Sequence, residues 1–275
     1  MNKIFTSLLR VSMIGAFIAT LPIVSHAQSI SARDVNTYLR KREDGKNVSL
    51  FHRFELFYGM TFGGGGVNIN DRFRDQSNSN VIAGNSRATT FNYRAYSGGG
   101  AVYFPLSYFG SQSMLALNVG IYGTANVWDI GNTSLDASRI TTYESKDMFI
   151  GAPIGVDIIY GGEATLNKVN KITLRGGAGL MPYFATGELA DGSQNYGKVG
   201  IKPYVKAELG FFAGVEWKLR GMVIAGSRTI YDYHTGDYNL RDSDYYYSMN
   251  FKIRPTYTVG IVVFPFSFGW ENDKW

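Results

Sequence analysis

From Arg53 to Phe268 the chain alternates apolar and polar residues, and past residue 27 no stretch approaches 18 unbroken apolar residues. A membrane-spanning helix needs ~20 predominantly apolar residues, so a helical membrane protein is not expected. Period-two alternation instead marks strands whose faces meet unlike surroundings. It is clearest in Phe251–Phe268, FKIRPTYTVGIVVFPFSF. Ile253, Pro255, Tyr257, Val259, Ile261 and Val263 share one parity, while Lys252, Arg254, Thr256, Thr258 and Gly260 share the other. The pattern predicts the last strand of an all-β, transmembrane, antiparallel up-and-down β-barrel, with Ile253, Tyr257, Val259, Ile261 and Val263 toward lipid. That strand would pair with the first and close the sheet.

Eight strands are expected: Arg53–Gly63, Phe91–Phe104, Ser113–Trp128, Met148–Tyr160, Lys171–Thr186, Val199–Ala213, Lys218–Tyr231 and the terminal stretch. Each is long enough for the ~9–11 residues of a tilted spanning strand. The seventh alternates least. The connections sort by side. Val67–Thr90, Asp129–Asp147 and Asp232–Asn250 read as long loops, whereas Gly214–Trp217 reads as a tight turn. Outer-membrane barrels have short periplasmic turns and long outer loops. Aromatics gather near strand ends, among them Tyr103, Phe104, Trp128, Tyr183, Phe184, Trp217, Phe264, Phe266, Phe268 and Trp270, as expected of interfacial girdles. Phe268 and Trp275 compete as the terminal aromatic.

Composition agrees. Charged residues make up 18% of the 275, aromatics 15%, and Gly numbers 33. Without a Cys, disulfides, thiolate metal sites, Cys nucleophiles and lipoprotein anchors are excluded. Residues 1–27 read as a secretory signal peptide: Lys3 and Arg10 precede and open the apolar run Val11–Val24, and Ser25-His26-Ala27 is a small-x-small cleavage site before Gln28. Its loss leaves 25 cations against 22 anions, and no basic run or recognition motif suggests nucleic acid. Residues 28–50 read as a periplasmic segment with a possible short helix, in which Ser31 and Asp34 have capping-box spacing. Residues 51–275 are then the barrel, in the cell outer membrane.

This signal, these eight strands, the sided loops and the aromatic last strand resemble the small outer-membrane barrels of the OmpA-domain and OmpX kind. The Gly- and Tyr-rich style resembles versions from Bacteroidota. Thr258, Gly260, Phe264 and Phe266 approximate, one residue out of step, the signal by which that family's last strand is read by the barrel-insertion machinery. The resemblance implies that machinery and outer-membrane lipid as partners, with other envelope proteins possible.

If the apolar parity faces lipid, then Arg53, Glu55, Asp157, Arg175, Lys202, Lys206, Glu208, Lys252 and Arg254 face the lumen. Arg53, Glu55, Asp157, Arg175 and Glu208 fall in its lower half, and Lys202, Lys206, Lys252 and Arg254 fall higher, mostly unpaired. An eight-stranded barrel is just wide enough for side chains to fill. Two readings stay open: a salt-bridged plug and an anion-favouring upper vestibule. Some eight-stranded barrels modify lipid A with a His and Ser beside a carboxylate. Here His234, with Asp232, Thr235, Asp237, Asp242 and Ser243 nearby, is the only such cluster, and proximity in a loop does not make a nucleophile. The aspartates Asp232, Asp237, Asp242 and Asp244 lack the twelve-residue Ca²⁺ pattern. Gly63–Gly66 lacks the context of a phosphate loop and is expected to supply small residues or a bend. The expectation is therefore a non-enzymatic scaffold or interaction protein, an accessory subunit of a secretion or envelope-assembly complex, without cofactor or metal. A small pore and a lipid A-modifying enzyme are the alternatives.

Overall fold

Alternation becomes a closed sheet. The computed structural model describes residues 50–74, 81–109, 112–133, 140–168, 171–188, 195–236 and 245–270. The expected signal peptide lies outside these residues, as does the expected periplasmic segment apart from Leu50. Ten strands follow in order: β1 (Phe54–Arg74), β2 (Val81–Phe109), β3 (Ser113–Thr133), β4 (Ile140–Gly151), β5 (Ile154–Gly161), β6 (Ile172–Glu188), β7 (Asn195–Ala213), β8 (Val215–Ile224), β9 (Arg228–Gly236) and β10 (Tyr245–Phe264). All pair antiparallel. β4 and β5 together occupy the place between β3 and β6, and β8 and β9 together flank β10. β10 then pairs with β1, so the described strands close into a ring of eight.

The two breaks are local. Between β4 and β5, Gly120 N–H donates to Pro153 O and Ala152 N–H to Pro182 O, so the ladder runs on across the gap. Between β8 and β9, Gly226 takes a φ of 81° and Ala225 N–H donates to Pro203 O. At the β7–β8 hairpin Gly214 has a φ of 77°, a conformation that glycine reaches without steric cost.

The outer face is apolar where lipid lies. Leu56, Tyr58 and Met60 of β1 pair with Val263, Ile261 and Val259 of β10, and the outward face continues through Ile154, Val156 and Ile158, then Ile201, Val205 and Leu209. Exposed apolar residues in an unbroken ring have no soluble rationale, and they are what a barrel shows to hydrocarbon. Tyr257, Val259 and Ile261 point outward as expected.

Upper β10 differs from the expectation. Lys252 and Arg254 point outward, and Ile253, fully buried, points into the lumen. The register with β1 slips one residue between Gly63↔Thr256 and Gly65↔Ile253, which places an extra residue of β10 at Arg254–Pro255. Proline cannot donate to the ladder and sits at bulges, and one inserted residue flips every side chain beyond it. A second bulge, in β2 at Asn92–Tyr93, is bridged by the Asn92 amide, which donates to Thr61 O (2.9 Å) and accepts from Gly63 N–H (2.8 Å).

The expected long loops are largely strand. β1 runs on to Arg74 and β2 begins at Val81, β3 runs to Thr133 and β4 begins at Ile140, and β9 runs to Gly236 with β10 from Tyr245. Twenty-one residues in β1 and 29 in β2 far exceed a spanning strand, so the sheet continues past the membrane on the long-hairpin side. The sidedness stands, but its material is hairpin rather than loop.

The absence of Cys makes the flip testable with single cysteines. In intact cells, Lys252→Cys and Arg254→Cys should label with a membrane-impermeant maleimide. Phe251→Cys and Ile253→Cys should stay unlabelled. The opposite pattern would restore uniform parity through Pro255.

Candidate functional site

The lumen is filled, layer upon layer, by inward residues of all eight wall positions. At the periplasmic end the chain folds back after β10. Trp270, buried, packs on Phe264 (5.9 Å between centroids) and Phe212 (6.2 Å), and its indole N–H donates to His52 O (3.1 Å). Among the described residues Trp270 is therefore the aromatic that seals this end; of the two candidate terminal aromatics, Phe268 is exposed and Trp275 lies outside the described residues. Ser267 holds the fold-back: it accepts from Glu216 N–H (2.7 Å) and donates to Phe264 O (2.8 Å).

Above this floor lies the charged layer. Arg175 of β6 reaches Glu55 of β1 (2.7 Å), Glu163 (3.0 Å) and Asp157 of β5 (Nε to Oδ2, 2.8 Å). Glu163 belongs to α1, the four-residue helix Gly162–Thr165 that turns β5 into β6 and sends its side chain back into the barrel. Lys218 of β8 binds Glu163 and Glu208 of β7, the latter at 3.1 Å. Arg220 of β8 binds Glu55 and Glu208, the latter at 2.7 Å. Lys206 of β7 lies 3.0 Å from Asp157 and 3.6 Å from Glu208. Among the described residues, four carboxylates thus meet four cations, with side chains 0–8% exposed. Aromatic faces complete the cations' surroundings. Lys218 Nζ stands 4.3 Å from the centre of Phe264, Arg175 Cζ 5.3 Å from Tyr103 and Arg220 Cζ 5.1 Å from Phe57.

Higher still, Thr61, Thr258 and the Tyr122 hydroxyl form a closed triad at 2.7–3.1 Å. Beside it a cavity of about 20 Å³ is lined by Asn118, Tyr122, Tyr204, Lys206 and Arg220 among others. The Asn118 amide nitrogen and Tyr204 hydroxyl have no protein partner. That volume suits a water and no larger solute. Then come Phe149 stacked on Tyr183 (4.9 Å) and the Arg228–Asp147 ion pair, with Arg228 4.7 Å over Phe149. Asp147 also accepts from the Trp128 indole and from Asn126 (3.2 Å). Trp128 meets Phe251 edge-on at 5.5 Å. Gly63 and Gly65 make room for them: a Cβ on Gly65 would lie 2.4 Å from Phe251.

The structure brings together Glu55, Asp157, Arg175, Lys206 and Glu208 of the nine expected lumen charges. Lys206, placed by the sequence among the mostly unpaired upper cations, is paired. Lys202 faces inward and donates to Ser227 O, holding the β8–β9 break. Arg53 is buried in the turn before β1. Lys252 and Arg254 are outside. Sequence reasoning missed Glu163, Lys218, Arg220 and the Asp147–Arg228 pair. Lys218 and Arg220 alternate with Trp217 and Leu219 and were legible by parity, whereas Glu163 sits in a turn with no periodicity. His234 lies on β9 opposite Ser248, in strand rather than loop.

No protein-family model matches the sequence, and no curated protein does either. Solved structures similar to the chain are outer-membrane proteins. The outer membrane protease OmpT from Escherichia coli has 11% identity and a TM-score of 0.35, over 76% of this chain and 96% of that one. The outer membrane protein OprG from Pseudomonas aeruginosa has 10% identity and a TM-score of 0.41, over 76% and 94%. The attachment invasion locus protein Ail of Yersinia pestis has 10% identity and a TM-score of 0.23, over 76% and 97%. The chain is a small outer-membrane-type β-barrel on the strength of its own closed ring and apolar wall. One of these proteins is a protease, and the expectation that the chain is not an enzyme is withdrawn.

Removing one partner from a buried ion network leaves its opposite charge stranded, at a cost of about 3–5 kcal/mol. Arg175→Met should lose about that much in urea unfolding from lipid vesicles. The balanced double variant Glu163→Gln/Lys218→Met should lose less than the sum of its two single variants. Additive losses would show that these groups do not act as one network.

Proposed function

We propose that this chain is an outer-membrane barrel whose lumen is a structural plug and whose function lies on its outer side. It acts there as a scaffold or interaction protein, an accessory subunit of a secretion or envelope-assembly complex. The carrying observation is the balanced charge layer. Four carboxylates and four cations bind one another across the full width of the lumen, capped below by Trp270 and above by Trp128 and Phe251. A conducting path needs polar groups free to hydrate a passing ion. Within this layer those groups are taken by each other, which supports the plug over the pore, although Glu216 of β8, buried below it, has neither carboxylate oxygen hydrogen-bonded. The hairpins beyond the membrane then carry the surface available to a partner, held rigid by their ladders.

On this reading residues 1–27 direct export and are removed, and residues 28–50 remain in the periplasm. Affinity with the OmpA-domain and OmpX barrels, in the Bacteroidota style, belongs to the same proposal.

Two measurements test it. The protein in a planar bilayer should give no ionic current steps at ±100 mV, roughly the physiological range of membrane potential. A mild-detergent pull-down of the tagged protein should recover a stoichiometric envelope partner, lost when the β1–β2 hairpin is shortened beyond Gly66. Steady conductance, or a clean monomer under mild extraction, would overturn the reading.

A further inference from the structure

The bulge at Arg254–Pro255 places Lys252 and Arg254, both exposed, on the outer wall just above Tyr257, Val259 and Ile261. A cation on the lipid face costs roughly 2–4 kcal/mol at the midplane of the bilayer and ~0–1 kcal/mol near the interface. Two adjacent outward cations therefore mark the level of the headgroups. The side is the outer one, because these residues lie on the long-hairpin end of the barrel.

What lies beside them is a shallow trough. Lys252 pairs across β1 with Gly66, which pairs in turn with Thr89 of β2. Gly64 sits opposite the Arg254–Pro255 bulge on one side and Phe91 on the other. A Cβ built on Gly66 would meet nothing within 4 Å, so the floor is open. One row farther out, Arg87 donates to Asn68 of β1 (2.9 Å). On the membrane side Phe62 and Phe91, 50% and 73% exposed, continue the apolar wall. Among the described residues one outward carboxylate is near: Asp232 of β9 pairs with Asn250, one row beyond Lys252.

We infer that this trough on the β10–β1–β2 seam binds a phosphorylated lipid of the outer leaflet. The lipid phosphate sits between Lys252 and Arg254 over the glycine floor, and an acyl chain runs down past Phe62 and Tyr257. Lys252 and Arg254 stand about 7 Å apart along the strand, within reach of one phosphate for two long side chains. Charge complementarity and continuity with the lipid-facing wall select a lipid over a soluble anion. The inference does not depend on the proposed scaffold role.

Native mass spectrometry of the full chain purified from membranes, titrated with diphosphoryl lipid A, tests it. Wild type should retain one lipid. Each cation near an anionic headgroup contributes about fivefold, so Lys252→Gln/Arg254→Gln should bind roughly 25-fold more weakly. Gly66→Leu keeps both charges and fills the floor, and it should lose binding too. Unshifted gel mobility of unboiled samples checks that both variants are folded. Dephosphorylated lipid A should bind wild type no better than diphosphoryl lipid A binds the double variant, and inorganic phosphate should not compete. Equal retention by wild type and both variants overturns the inference. Displacement by inorganic phosphate also overturns it, in favour of a free-anion site.

Discussion

Everything in this barrel depends on bringing Arg175 into a dry lumen. A guanidinium there is tolerated only if carboxylates from several directions answer it, and they come from β1, β5, β7 and the α1 turn. Each of those carboxylates needs its own cations, which β7 and β8 supply in Lys206, Lys218 and Arg220. The layer therefore couples wall positions that share no backbone ladder. β1 and β8 each pair with β10 rather than with one another, yet Glu55 and Arg220 join them directly across the interior. Backbone hydrogen bonds would close a ring of many possible registers. A network that balances in one arrangement selects the register, because a one-residue slip would carry the whole set to the lipid face.

The wall was legible in the sequence for the same reason that it is stable. Lipid outside and packed side chains inside impose period two wherever the strand is regular, so β3, β5 and lower β10 read off Leu115, Val156 and Val259 without ambiguity. Legibility ended where the strand is irregular. Pro255 was counted as one more apolar position, though its missing N–H makes it a bulge site, and the parity beyond it inverted. The loops were misread for a related reason: Val67–Arg74 and Val81–Thr90 are polar because both their faces leave the membrane, and they are strand nonetheless because their ladder continues.

The charged layer was half legible. Glu55, Asp157, Arg175, Lys206 and Glu208 lie on regular stretches and follow from parity. Lys218 and Arg220 follow the same rule in a strand whose upper part is broken at Gly226, and the break hid the regular half. Glu163 could not be read at all. Its place is fixed by Gly161, whose φ of 98° turns the chain inward, and by the demand of Arg175 and Lys218 for one more carboxylate. Charge balance in the lumen was the missing criterion. Inward residues counted by parity along the strands gave cations in excess, and a dry interior does not hold an excess.

The two bulges have a common consequence that links interior to exterior. At Asn92–Tyr93 and at Arg254–Pro255 the flanking strands lose one step against β1, on either side of Gly63–Gly66. Inside, the glycines Gly63 and Gly65 let Trp128 and Phe251 cross the lumen and close it. Outside, the same flip turns Lys252 and Arg254 away from the lumen. The cations that a uniform strand would have buried unpaired are placed instead where water and anionic headgroups can meet them. The glycine run is thus needed twice, once for each face, and that double demand explains four consecutive glycines in a strand where each weakens the ladder.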